Sequence, residues 1–351
     1  MKHANVVTVA QMDRFDEVID VRSPSEYALD HIPGAVNCPV LDDDERARIG
    51  TLYKQVSPFE AKKLGAALVS RNIARHIEGR FASRGHEWKP LVYCWRGGKR
   101  SGALAHVLRE IGWHAATLEG GYKAYRRDIV AQLETLPLQF EFVVVCGATG
   151  SGKSRLLEAL TARGAQVLDL ERLACHRGSV LGDMPGEPQP AQKMFDSLVW
   201  NTLRHFDSSR PVIVEAESRK IGRLQLTDAL LDRMRQGRCL RIEAPVAERV
   251  RFLIDEYRHF LEDPEPLKEK LSCLAGLYGK EVIGRWIAQV DARLWEDMVA
   301  DLLANHYDPA YRRSTLANYR RFDEATELRL DSLALDSIGR AATELVKSLT
   351  S

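Results

Sequence analysis

Two short stretches of this 351-residue sequence put a reactive atom or an anion-binding backbone at the spacing that chemistry requires. In the first, Cys94-Trp95-Arg96-Gly97-Gly98-Lys99-Arg100-Ser101, a cysteine ends the apolar run Pro90-Leu91-Val92-Tyr93. A glycine-containing loop follows, and then a helical pattern through Ala103, Leu104, Val107 and Leu108. Such a loop can turn its amides inward while the next helix offers its positive end, and both effects favour a thiolate. A free thiol of pKa ~8.5 is only about 3% ionised at pH 7, whereas such surroundings bring it to roughly 3.5–7.5. Cys94 is therefore the expected catalytic atom, and Trp95, Arg96, Gly97, Gly98, Lys99 and Arg100 are its expected anion loop.

The second stretch, Gly147-Ala148-Thr149-Gly150-Ser151-Gly152-Lys153-Ser154, fits GxxxxGK[ST]. It lies where the mechanism needs it, after the strand-like Phe142-Val143-Val144-Val145 and before the helical Leu156, Leu157, Ala159 and Leu160. Gly147, Gly150 and Gly152, with Ser151, let the backbone wrap an oligophosphate; Lys153 supplies mobile positive charge, and the Ser154 hydroxyl can join a Mg2+ shell. Asp169 and Glu215 each end a strand of this region and are candidates to order metal-bound water or to act as acid or base. The plainer reading, that Glu215 or Glu217 caps a strand beside Arg219, stands level with it. Glu215 also replaces the aspartate usual in nucleotide hydrolases. His176 and Arg177, in a polar segment after the second strand, are candidate substrate contacts, as is Arg249 on the helix after Ala244-Pro245; a solvated surface is the competing reading for each.

The elements that must position these groups read as strands alternating with helices. In the first half the strands are Val18–Val21, a short strand that the loop His31–Asn37 runs into, and Pro90–Cys94, with a helix over 59–78. In the second half they are Phe140–Cys146, Gln166–Leu170, Pro211–Ala216, Cys239–Ala244 and Leu328–Asp331. This alternation predicts parallel sheets covered on both faces. The length predicts two domains: residues 1–130, a connector at 131–139 ending near Pro137, and residues 140–351. Within the latter, 246–305 is a mostly helical insertion broken at Pro264 and Pro266.

Apolar residues at 45% and charged residues at 28% exclude extended disorder. Fifty Lys and Arg against 49 Asp and Glu mean that a nucleic-acid partner must be held by local patches. Six cysteines without a CxxC pair predict neither a disulfide framework nor a metal site. Cys38, Cys146, Cys239 and Cys273 read as buried structural thiols. With no apolar segment of membrane-spanning length, a cytoplasmic enzyme is expected.

The first half resembles a rhodanese domain. Asp20-Val21-Arg22 with Glu26-Tyr27, then His31-Ile32-Pro33-Gly34-Ala35, is similar to that family's first signature, and Tyr93-Cys94 with Gly97 and Arg100-Ser101 to its active loop. Asp30 departs from the usual glycine. The loop also has the Cys-x5-Arg spacing of rhodanese-like phosphatases, so its size does not separate sulfur or selenium transfer from phosphate-ester cleavage.

Taken together, these motifs resemble the tRNA 2-selenouridine synthase family. They include Glu45-Arg46-Ala47-Arg48-Ile49-Gly50-Thr51-Leu52-Tyr53-Lys54-Gln55, Leu118-Glu119-Gly120-Gly121-Tyr122-Lys123-Ala124-Tyr125-Arg126-Arg127, His176-Arg177-Gly178-Ser179 and Glu215-Ala216-Glu217-Ser218-Arg219-Lys220-Ile221-Gly222. The resemblance implies a rhodanese-like α/β domain followed by a P-loop NTPase/kinase-like α/β domain with a helical C-terminal portion. It implies a transferase acting on the wobble 2-thiouridine of tRNAs for Lys, Glu and Gln. The sulfur first receives a geranyl group from geranyl diphosphate, and selenophosphate, with a selenophosphate synthetase as its source, then supplies selenium. No cofactor is implied beyond Mg2+ accompanying the diphosphate, and no membrane partner. Arg96, Lys99, Lys123, Arg126 and Arg127 with Trp95, Tyr122 and Tyr125 are the expected contacts to the anticodon loop. The alternative is a sulfurtransferase or Cys-x5-Arg phosphatase fused to an ATP-dependent small-molecule kinase.

Overall fold

The central strands are short apolar runs buried on both faces, and both main sheets are parallel throughout, as crossover helices on each face require. The computed structural model describes residues 5–350. It divides the chain into two units, one running to Gln132 and including Ala191–Asn201, the other formed by Leu133–Pro190 and the chain from Thr202 onward.

In the first unit the strands are β1 (Val6–Val7), β2 (Glu17–Asp20), β3 (Val36–Asn37), β4 (Pro90–Tyr93) and β5 (Ala116–Leu118), in the order β1-β5-β4-β2-β3. Its helices are α1 (Pro24–Leu29), α2 (Asp43–Gln55), α3 (Pro58–Glu78), α4 (Lys99–Ile111) and α5 (Gly121–Leu133). Their starts are written in the sequence. Ser23 with Glu26 and Asp42 with Glu45 form capping boxes, and Pro24 and Pro58 occupy the first turn, where a missing N–H costs nothing. Ile19, Val21, Val92, Leu104, Ala105 and Leu108 join the core beneath Cys94.

In the second unit β6 (Phe142–Gly147), β7 (Gln166–Leu168), β8 (Val212–Glu215), β11 (Arg238–Glu243) and β12 (Thr326–Arg329) order as β12-β11-β6-β8-β7, while β9 (Lys220–Ile221) and β10 (Leu224–Gln225) form an antiparallel ribbon. The P-loop strand β6 is therefore central. The helices that follow β6 along the chain are α6 (Lys153–Thr161), α7 (Leu170–Ala174), α8 (Gln192–Leu203), α9 (Asp228–Arg235), α10 (Val246–Glu256), α11 (Arg258–Glu262), α12 (Glu265–Ser272), α13 (Ala275–Asp291), α14 (Trp295–Leu302), α15 (Asp308–Asn318) and α16 (Leu335–Thr350). The helical segment has a core of its own built on Phe260, Leu271, Ile283, Trp286, Val290 and Met298. Pro264 and Pro266 begin α12 rather than merely interrupting a helix.

Most of α8, residues 191–201, groups with the first unit although it follows the P-loop in sequence. Its Ser197 hydroxyl donates to Asp30 at 2.8 Å, Asp196 pairs with Arg126, and Trp200 packs edge-on against Tyr125. All six cysteines are free. Cys38, Cys146 and Cys239 are buried, but Cys273 is exposed at the end of α12, so it is not the buried structural thiol expected of it.

Candidate functional site

The thiol loop is held by two glycine-mediated close approaches. Tyr122 N–H donates to the Cys94 carbonyl at 2.8 Å, and Lys123 N–H to the Trp95 carbonyl at 2.9 Å. For that, the start of α5 must touch the loop backbone. Gly121 has φ +58°, and a Cβ there would lie 2.2 Å from the Cys94 carbonyl oxygen. No side chain fits, which explains the Gly120-Gly121 pair. Beneath the loop, Arg22 is buried against Asp20 at 2.6 Å, lies 3.9 Å over the Tyr122 ring, and donates to the Asp30 carbonyl. Asp30 has an extended backbone, so the glycine usual there is not required for its conformation. Its buried carboxylate accepts from the Tyr122 and Ser197 hydroxyls.

Cys94 Sγ accepts from the Gly98 amide at 3.4 Å and the Ser101 hydroxyl at 3.3 Å. Burial is the largest single influence on this thiol and opposes its ionisation. Hydrogen bonds from the Ser101 hydroxyl and from the amides of Ser101, Gly98 and Arg96 together outweigh it, and the pKa falls below the ordinary cysteine value. Cys38 shows the contrast: burial pushes its thiol up to about 11.

Cys94 opens on a shallow cleft of about 590 Å3 lined by its own loop and by α2, which contributes Arg46, Ile49, Gly50, Tyr53 and Lys54. Trp95, Arg96 and Lys99 are exposed there, as are Arg46, Tyr53 and Lys54. Two aromatic faces and four cations thus surround the entrance to the thiol. Tyr122 and Tyr125, expected as part of an aromatic platform, are instead core residues, 3% and 0% exposed. Arg126 is committed to Asp196, while Lys123 and Arg127 remain exposed. Arg100 is held by Glu26 at 2.9 Å. The α2 residues are in the quoted Glu45–Gln55 motif, but nothing in their spacing says that they face the thiol.

The P-loop wraps between β6 and α6. Gly150 has φ +78°, and Lys153 Nζ donates to the Gly147 carbonyl at 2.8 Å across the loop. Thr149, Gly150, Ser151, Gly152, Lys153 and Ser154 line a cavity of about 300 Å3 together with Asp169, Glu171, Arg172 and Arg177. Ser151 Oγ is buried without a hydrogen-bond partner. Arg177 stays at the cavity wall, paired with Glu256 at 3.1 Å and lying 4.7 Å over the Tyr257 ring. Asp169 caps α7 by accepting from Arg172 N–H.

Neither His176 nor Arg249, the expected substrate contacts, lines this cavity. His176 is buried, its Nδ1 accepts from the Gly178 amide and its Nε2 lies 3.5 Å from Asp183, so it holds its own turn; burial lowers its pKa. Arg249 is 6% exposed; it donates from Nε to the Thr149 carbonyl at 2.9 Å and forks onto Asp308. It braces the P-loop through that carbonyl.

Asp169 and Glu171 line the cavity, and both act electrostatically on the buried Glu215. Glu215 accepts from the Glu171 amide at 2.6 Å, and its other oxygen has no partner. Among the described residues no three acidic, His or Cys side chains converge on a metal. The Ser154 hydroxyl and the Glu171 carboxylate, 3.3 Å apart, do form an oxygen pair suited to a hard cation that also takes ligands from a phosphate.

Burial first, then the charges of Asp169, Glu171 and Glu217, push the Glu215 carboxyl well above its usual value of 4.5. The folded state therefore retains a proton that the unfolded chain releases near that value. Its stabilising contribution is complete below about 4.5 and is lost as pH rises through the raised folded pKa. Glu215→Gln keeps an acceptor for the Glu171 amide and removes the ionisation. Its thermal midpoint, measured across about pH 5–8, is expected to gain on that of the native chain as pH rises; a constant difference would contradict the shifted carboxyl.

Residues 7–128 match the rhodanese-like domain family, and residues 140–269 match the family described as the tRNA 2-selenouridine synthase AAA domain. The chain is 38% identical over 244 residues to a Nitrosomonas europaea protein named tRNA 2-selenouridine synthase, an alignment covering 68% of this chain and 63% of that one. A Bdellovibrio bacteriovorus protein of the same name is 38% identical over 253 residues, 68% of this chain and 64% of the relative. In both cases less than two thirds of the relative is matched. An Alcanivorax borkumensis protein, again with that name, is 31% identical over 326 residues, covering 84% of this chain and 88% of its own length.

Proposed function

The chain belongs to the tRNA 2-selenouridine synthase family, and from that premise we propose that it converts 2-thiouridine to 2-selenouridine in two steps at the wobble position of tRNAs for Lys, Glu and Gln. The observation that carries this reading is the presence of two unlike anion cradles in one chain, an amide-bound thiol of lowered pKa and a P-loop whose lysine lines the phosphate cavity.

In the first step the uridine sulfur attacks C1 of geranyl diphosphate. A C–S bond forms, the C–O bond breaks, diphosphate leaves with the electron pair, and the base loses its N3 proton. The developing charge lies on phosphate oxygens, which the P-loop amides and Lys153 are arranged to stabilise. Mg2+ held by Ser154 and Glu171 would neutralise further charge on the diphosphate. ATP has no part in this step.

In the second step selenium from selenophosphate becomes bonded to C2, the C2–S bond breaks, and geranyl thiol departs. Water takes the phosphorus to phosphate, and its protons go to N3 and the departing sulfur. The Cys94 loop binds the small selenophosphate anion through its inward amides, and the thiolate assists the displacement by adding to C2 as geranyl thiol leaves, to be displaced in turn by selenium. Arg96, Lys99, Arg46 and Lys54 hold anticodon-loop phosphates while Trp95 and Tyr53 offer faces to splayed bases. The substrate and a selenophosphate synthetase put the reaction in the cytoplasm; no helix among the described residues is long and apolar enough to cross a membrane.

The rival reading, a Cys-x5-Arg phosphatase joined to a kinase, predicts ATP turnover without RNA. Incubating the purified chain with a thiolated anticodon stem-loop and geranyl diphosphate is expected to yield the S-geranyl nucleoside by mass spectrometry. Adding selenophosphate should convert it to selenouridine. Unchanged nucleosides accompanied by RNA-independent ATP consumption would overturn the proposal in favour of the rival.

A further inference from the structure

The helical segment of the second unit encloses a narrow slot that opens into the phosphate cavity. Thr149, Ser179, Leu253 and Tyr257 line both spaces. Beyond that neck the walls are apolar, with Leu181, Phe260, Leu267, Met298 and Leu302 drawn from the helical core. The neck is polar: Ser179 lies within hydrogen-bonding reach of the Tyr257 and Tyr307 hydroxyls.

One helix couples the two spaces. Arg249, Leu253 and Tyr257 recur every four residues along α10 and just past its end, so they share a face. Arg249 holds the Thr149 carbonyl, and Leu253 packs so closely on the P-loop that a Cβ on Gly150 would lie 2.8 Å from its Cγ. The slot offers about 60 Å3, room for roughly four to six water-sized spheres. A space of that size takes several carbons of a hydrocarbon chain. An apolar space of this kind holds water poorly and accepts hydrocarbon.

A phosphate cradle, a polar neck and an apolar bore in sequence are complementary to an amphiphile with an anionic head. The geometry points to the slot as the binding site for the hydrocarbon chain of the allylic diphosphate, with the diphosphate in the P-loop, the scissile C–O bond at the Thr149–Tyr257 neck, and Leu267 and Met298 limiting chain length. This assignment rests on the reading that the P-loop holds a diphosphate, and it gives the helical insertion a substrate-selecting role.

Calorimetric binding of inorganic diphosphate, geranyl diphosphate and farnesyl diphosphate to the full chain with Mg2+ tests it. Each buried methylene strengthens binding roughly fourfold, so even three buried carbons make geranyl diphosphate bind about sixtyfold tighter than inorganic diphosphate. Met298→Trp, which fills the bore, should reduce geranyl diphosphate to the inorganic level and leave inorganic diphosphate unchanged. Met298→Ala should shift preference toward the fifteen-carbon chain, which keeps the test intact where the tryptophan variant folds poorly. Equal binding of inorganic and geranyl diphosphate by the native chain would overturn the slot assignment alone. Inorganic diphosphate that fails to bind the native chain would overturn the P-loop reading and the assignment with it.

Discussion

Cys94→Ser is expected to abolish selenium incorporation, by at least about 10³-fold, while the same protein continues to transfer the prenyl group. The substitution is nearly isosteric, so the amides of Gly98 and Ser101 and the Ser101 hydroxyl keep an acceptor in place. What is lost is the ionisable sulfur, since a serine hydroxyl in the same nest stays protonated at neutral pH. On the proposed mechanism the prenyl step belongs to the P-loop and has no use for the thiol. Thiolated stem-loop treated with the variant, geranyl diphosphate and selenophosphate should therefore accumulate the S-geranyl nucleoside. Accumulation of selenouridine would remove Cys94 from the chemistry.

Lys153→Ala should produce the opposite defect. Its ammonium is the charge in the P-loop that can follow phosphate oxygens as the C–O bond breaks, and removal of one such stabilising group typically costs about 10²–10³ in rate. The loop itself should survive, because Gly150 is braced by Leu253 and the Thr149 carbonyl by Arg249, which in turn is anchored on Asp308. Prenylation is expected to fall by that factor at saturating RNA. A rise in KM for the RNA alone, with turnover retained, would argue that Lys153 serves RNA binding instead.

Both cradles were readable in the sequence because each is a local event. A strand, a glycine turn and a helix start lie within about fifteen residues in a P-loop, and the same local arrangement holds for the Cys94 loop. The buried strands were readable for the same reason, since an apolar run between turn residues is a local signal. What escaped depends on partners distant in sequence. Arg249 looked like a surface cation until Asp308 and the Thr149 carbonyl enclosed it. Tyr122 and Tyr125 looked like RNA-facing rings, but Arg22, Asp30 and Trp200 bury them.

Asp30 is the most instructive case. In the sequence it is only a departure from a signature glycine, whereas its carboxylate joins the Tyr122 hydroxyl to Ser197 from α8. No window of neighbouring residues contains that contact. The role of α2 in walling the thiol cleft is invisible likewise, because a helix pattern tells which face is apolar and not which site lies opposite.

The central claim is that the two cradles act in turn on one base and can be separated. The most direct measurement purifies the S-geranyl stem-loop made by the Cys94→Ser chain and presents it, with selenophosphate, to the Lys153→Ala chain. Conversion to selenouridine at close to the native rate is the predicted result. No conversion by a folded Lys153→Ala chain, under conditions where the native chain converts the same RNA, would contradict the account.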